Sequence, residues 1–220
     1  MSGYVSGKTS LTTVQTGDIA ANAVTLAKMA GGTDGNLITY DASGDPAAVA
    51  TGSDGQVLTS GGAGVAPTFA AGGICVQVVN TQTGAGATGT TAMPGDDTIP
   101  QITEGDEYMT LAFTPGATAN ILVIQVTMIA STNQADTPTV ALFQDSTAGA
   151  LACAVDWIGD ANGVAVMTFT HKMTAGTTSE TTFSVRAGGT SGTFFFNGWS
   201  ASRQLGGNLA SSITIKEYTA

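Results

Sequence analysis

Side chains able to do chemistry are few in this chain, and their spacing argues against a catalytic centre. The only histidine, His171, ends the apolar-polar run VMTFTH. A hydrolytic triad would need it within reach of a nucleophile such as Ser179, Ser184 or Ser200, with an Asp behind it. No nucleophile elbow surrounds any of these serines, so His171 reads as an ordinary strand-end residue. Asp96, Asp97, Glu104, Asp106 and Glu107 are hard oxygen donors of the kind calcium takes, but their spacing matches no calcium loop and they read as a solvated stretch. A carboxylate pair for glycoside hydrolysis could be drawn from that set with Asp156 or Asp160. No aromatic-rich groove pattern accompanies it. The opening GYVSGKT resembles a phosphate loop but has three residues between Gly3 and Gly7 where that loop needs four, and no strand precedes it. The expectation is a non-enzymatic protein with no metal and no cofactor.

Charge is scarce and acidic, with 6 Lys and Arg against 16 Asp and Glu and a formal net charge of -10. Nucleic acid demands a cationic track that displaces counterions. Lys8, Lys28, Lys172, Arg186, Arg203 and Lys216 are too widely spaced to form one, so no nucleic-acid partner is expected. No apolar run reaches the length of a membrane helix, since ANILVIQVTMIA is short and interrupted by Gln125 and Thr127, and no membrane insertion is expected. The start MSGYVSGKTS lacks the apolar stretch of a signal peptide. Cys75 and Cys153 both sit in apolar runs, GGICVQVV and ALACAVDW, and read either as two buried thiols or as a disulfide if their strands are neighbours.

The elements that would position these residues are strands. From residue 73 to 220 the predicted strands are 74–79, 107–113, 120–130, 138–143, 150–157, 163–171, 180–186, 193–199 and 211–217. TPGATA, STNQADTP, IGDANG and RAGGTSG separate them with turn residues. Residues 121–129 are apolar on nearly both faces, which marks a central strand. So many short strands without a helical period predict an all-β fold, a jelly-roll β-sandwich head over residues 73–220. Near its end, Phe194 and Phe196 share one face of a strand and Phe195 takes the other. Phe195 then faces a subunit interface or, with Trp199, forms a sugar-stacking platform for a host-surface glycan.

Residues 32–72 are glycine-rich and contain a repeat: GTDGNLITY at 32–40 matches GSDGQVLTS at 52–60, and each copy is followed by a proline segment. Each unit predicts one short strand between turns. Two such units cannot bury Leu37, Ile38, Val57, Leu58 and Phe69 within one copy, because the buried area is too small to offset backbone ordering of about 1–2 kcal/mol per residue. Either the region is a tether, or several copies wrap a common axis and pool these side chains as an extended stem. Residues 1–31 hold TGDIAANAVTLAKMAGG, predicted as short helical turns capped by Asp18 and Thr25, with Val24, Leu26 and Met29 on an apolar stripe. A helix that short needs a partner surface, so these three residues are the expected attachment contacts.

The segment GSDGQVLTSGGAGVAPTFA at 52–70 resembles the stem motif of tailed-bacteriophage fibre-like structural proteins, with Pro67 and Phe69 in the motif's proline and aromatic places. GDIAANAVTLAKMA at 17–30 is similar to the segment that often precedes it, and GWSASRQLGGNLASSITIKEYTA at 198–220 resembles the closing strands of trimeric jelly-roll heads in that group. The resemblance implies a homotrimer, a parallel threefold stem and a place in the virion beside capsid, portal, collar or tail proteins. With only two repeats it implies a short appendage, such as a head fibre, collar fibre or decoration protein, rather than a long tail fibre.

Overall fold

The structure, a computed structural model, describes residues 31–220. Among the described residues the elements are all strands apart from a single 3₁₀ turn at Leu205–Gly207. In chain order they are β1 (Leu37–Tyr40), β2 (Pro46–Val49), β3 (Gln56–Thr59), β4 (Thr68–Ala71), β5 (Cys75–Thr83), β6 (Ala87–Gly89), β7 (Asp106–Phe113) and β8 (Ile121–Thr132). They continue with β9 (Thr139–Gln144), β10 (Ala152–Val155), β11 (Val164–Thr174), β12 (Thr181–Gly188), β13 (Phe194–Phe196), β14 (Gly198–Trp199), β15 (Ser202–Arg203) and β16 (Ser211–Tyr218). The described chain divides into two compact units: residues up to Ser53 with Leu58–Phe69, and Asp54–Val57 with Ala70–Ala220.

The larger unit is a sandwich of two antiparallel sheets. One runs β10-β9-β12-β7. The other runs β5-β16-β8, with β11 on the free side of β8 and β13 followed by β6 at its far end. Alternation along each strand builds the core between them. Met109, Leu111, Phe113, Val140, Leu142, Phe183 and Val185 come from the first sheet, and Leu122, Ile124, Val126, Met128, Phe194, Phe196, Ile213 and Ile215 from the second. Phe113, Phe143, Phe183 and Phe194 are fully buried, each stabilising the fold by about 1.5–3 kcal/mol relative to exposure. Strand β9 is buried on both faces, because Ala141 and Phe143 pack outside the sandwich on Met93, Ile102 and Ala150. The segment carrying Met93 and Ile102 therefore covers the outer face of that sheet.

Strands stand where eight of the nine were predicted, but the one predicted over 193–199 is corrected: Asn197, at φ 53°, breaks it into β13 and β14, which belong to different sheets. The buried-thiol reading of Cys75 and Cys153 is corrected: both are exposed and free, and they lie on β5 and β10 in different sheets. Parity explains Cys153, since Ala154 turns toward the core and its neighbour must face out. Cys75 sits opposite the bulge at Glu217/Tyr218, where β5 leaves its register with β16.

In residues 32–72 the expectation of one strand per repeat is also corrected, because each repeat and the proline segment after it supply a hairpin. β1 pairs with β2, and β3 with β4. Pro46 opens β2, a position at which the missing N–H costs no ladder bond. Gly35 and Gly55 occupy the same turn position in the two repeats at φ 80° and 77°, which is why Asp-Gly recurs there. Thr51 ties down the first turn: its hydroxyl donates to the Asp34 carbonyl at 2.7 Å, and its N–H donates to Asn36 Oδ1 at 2.9 Å.

Candidate functional site

Strand parity sorts the stem side chains onto two faces of the first hairpin. Ile38 pairs with Ala48 and Tyr40 with Pro46, so these four apolar residues share one face. All four are exposed, Ile38 by 65% and Tyr40 by 68%. On the other face Val49 is buried while its pair partner Leu37 is 43% exposed. Twenty residues further on, Leu58 repeats the position of Ile38 and is again exposed, by 47%. Val57 and Phe69 are half-buried. Each rests on a glycine, since a Cβ at Gly72 would lie 2.3 Å from Val57 and one at Gly52 would lie 2.5 Å from Phe69. Of the five stem positions singled out in the sequence, Leu37, Ile38 and Leu58 are thus open, whereas Val57 and Phe69 have found cover. Val24, Leu26 and Met29 lie outside the described residues.

The head residues fall differently from expectation. Phe195 is only 7% exposed, so it presents no ring to a partner or a sugar. The expectation of an open Phe195 fails: β13 lies between β6 and β8, and all three of its phenylalanines are buried. On its core side Tyr108 stacks on Phe196 with centroids 4.9 Å apart and tilts against Phe194 at 5.3 Å. Burial, and then the Asp106 charge, push the Tyr108 phenol above its ordinary pKa. Trp199 is half-buried in the β14–β15 hairpin. The exposed indole is instead Trp157, at 66%. The signal was present in the run CAVDW, whose alternation puts Cys153, Val155 and Trp157 on one side.

The acidic stretch is used to build loops. Asp96 Oδ1 accepts from the N–H and hydroxyl of Thr98, and Asp106 accepts from the N–H and hydroxyl of Thr91. Glu104 accepts from the Gln101 N–H at 2.8 Å, and Glu107 pairs loosely with Arg186 at 3.8 Å. Among the described residues no three His, Cys, Asp or Glu side chains converge. His171 stands half-buried on β11, where desolvation lowers its pKa, and Ser184 is buried on β12 in the opposite sheet. No helix among the described residues is long and apolar enough to cross a membrane.

One cleft stands beside β10. Asp96, Asp97, Thr98, Ile99 and Pro100 form one wall and residues 150–153 the other, enclosing about 440 Å³. Its walls are joined where the Ala150 N–H donates to the Pro100 carbonyl at 2.9 Å.

No family model and no curated protein matches the chain. Among solved structures it is similar to the sugar-binding EclA C-terminal domain, with 19% identity over 51% of this chain and 73% of that one, at a TM-score of 0.32. It is also similar to dimeric latent PorU from Porphyromonas gingivalis, with 9% identity over 67% of this chain and 14% of that one, at 0.34. VP2 of the infectious bursal disease virus subviral particle aligns with 9% identity over 80% of this chain and 44% of that one, at 0.27. Similarity at this level carries no argument about function.

Proposed function

We propose that the chain is a structural component of a bacteriophage particle, a short homotrimeric appendage in which a stem carries a jelly-roll head. The observation that carries this reading is the open apolar face of Ile38, Tyr40, Pro46 and Ala48, repeated at Leu58. A monomer leaves these groups in water, whereas copies around a shared axis bury them, at about 1.5–3 kcal/mol for each large side chain fully enclosed. Three is the number implied by the stem motif's resemblance to phage fibre-like proteins; the physics alone asks only for more than one copy.

The strand order supports the jelly-roll reading of the head. Numbering β5, β7, β8, β9, β10, β11, β12 and β16 from one to eight, one sheet runs one-eight-three-six and the other two-seven-four-five. That is the order produced by folding a long antiparallel ribbon onto itself. A head with its own core suits the free end of an appendage, and the N-terminal segment with Val24, Leu26 and Met29 suits the mounted end. A full-length Val24→Asp/Leu26→Asp variant tests the assignment in a particle-binding assay: it should remain trimeric with an unchanged thermal transition yet fail to bind. Full binding by that stable trimer would refute it.

A further inference from the structure

We propose that the cleft beside β10, extended along the strand to Trp157, binds a neutral saccharide chain. The site is independent of the stem and belongs to the head alone. Trp157 is 66% exposed in a unit that fully buries four of its phenylalanines, so an indole face is left in solvent where a sugar ring can stack. An indole pairs an apolar face with one N–H donor, which suits the C–H face and hydroxyls of a pyranose.

The backbone that carries the indole is held on both sides. On one side Asp156 Oδ1 accepts the backbone N–H of Trp157 at 2.8 Å. On the other, Ile158 is joined to Asp136 by two backbone hydrogen bonds of 2.9 Å, and the Ile158 side chain is buried. A fixed backbone reduces the ordering cost of binding.

The remainder of the site runs from Trp157 toward the cleft. Cys153, Val155 and Trp157 are all exposed along β10 and its continuation. Four residues of extended chain span about 13 Å, enough for a few sugar rings. At the far end the cleft supplies acceptors for sugar hydroxyls, because Asp97 makes no hydrogen bond among the described residues and Asp96 uses only Oδ1. Apolar walls with a few acceptors are the usual make-up of a small-ligand site.

Charge selects the class of sugar. Among the described residues no Lys or Arg lines the cleft, and Asp96 and Asp97 stand in its wall. Uronic acids, sialic acids and phosphorylated sugars would meet repulsion with no cation to offset it. Neutral hexose chains meet none.

The chain has only two tryptophans, so emission can be assigned by substitution. Full-length protein is titrated with maltohexaose, cellohexaose and laminarihexaose, with an oligogalacturonate as the anionic comparison. At least one neutral hexasaccharide should give a saturable change in emission that survives Trp199→Phe, and its affinity by isothermal titration calorimetry should weaken about tenfold or more in Trp157→Ala. Asp97→Asn, an exposed change that leaves the fold intact, should weaken the same sugar severalfold. No saturable response from any of the three at millimolar concentration would overturn the proposal. So would undiminished affinity in a folded Trp157→Ala protein, or tighter binding of the oligogalacturonate.

Discussion

Replacing Glu217 by alanine should be among the most damaging single changes in the head. The side chain points from β16 into the sandwich and is fully buried. Its Oε1 accepts the Gly116 N–H at 2.8 Å and Asn120 Nδ2–H at 2.7 Å, holding the connection between β7 and β8 against a strand about a hundred residues later in sequence. Asn120 is itself buried, and Oε2 has no partner. Alanine leaves both donors unmet, at about 1–3 kcal/mol each, so the total loss should be roughly 2–6 kcal/mol. Glutamine keeps a carbonyl oxygen for both donors but sets its amide N–H groups where Oε2 has no partner, so Glu217→Gln should cost about 1–3 kcal/mol, less than alanine. Urea unfolding followed by tryptophan emission, at one protein concentration throughout, measures both. A Glu217→Ala midpoint equal to the parent's, or a Glu217→Gln loss as large as alanine's, would refute the reasoning.

Other outcomes follow from the same structure. Phe143→Ala opens a hole in the cluster with Met93 and Ala141 and should cost about 3–5 kcal/mol, read from the same unfolding curve. The two-residue loop of the β14–β15 hairpin holds Ser200 and Ala201 at φ 52° and 59°, a type I′ geometry that favours Asn-Gly. Ser200→Asn with Ala201→Gly should therefore raise stability by about 1 kcal/mol, seen as a higher Tm. Acid should destabilise the chain in two stages. Burial lowers the pKa of His171, so the unfolded chain takes up that proton first and stability falls as pH drops below about 6.5; His171→Gln removes this stage. Burial alone would raise the Asp136 pKa, but the Thr190 hydroxyl and the N–H groups of Thr137, Thr190 and Ser191 outweigh it and hold the carboxyl below its ordinary value. Its stabilisation is complete above the unfolded value of about 3.9 and is lost as pH falls through the lower folded value; the Thr182 N–H and the Thr181 hydroxyl hold Asp145 low in the same way, so Asp136→Asn should reduce this stage and Asp136→Asn with Asp145→Asn remove it.

Much of the head was legible because alternation is a local property. In SSITIKEY the parity that turns Ile213 and Ile215 inward also turns Glu217 inward, so the buried acidic side chain is legible there, whereas the denser acidic run at 96–107 is a more conspicuous signal that only builds loops. Parity was equally decisive, and less visible, at Cys153 and Phe195. An apolar neighbourhood marks a strand, but only the packing partner tells which face is covered. Strands β2 and β4 were missed because proline segments read as breaks, although a strand can open on proline. Sheet order lay beyond local reading: β5 pairs with β16 through residues such as Asn80 and Thr214, which are 134 positions apart. The stem repeat showed itself as a repeat, while the pairing of Ile38 with Ala48 that creates its open face needed the hairpin.

The trimeric stem is tested most directly by the solution mass of the full-length chain, measured by light scattering behind size exclusion at micromolar concentration. Three copies of a 21.8 kDa chain should give about 65 kDa. The double variant Ile38→Asp/Tyr40→Asp places charge on the open stem face and should shift the mass toward 21.8 kDa while the circular dichroism of the head is preserved. A parent protein that elutes at 21.8 kDa, or a double variant that keeps the parent's mass, would contradict a stem assembled through that face.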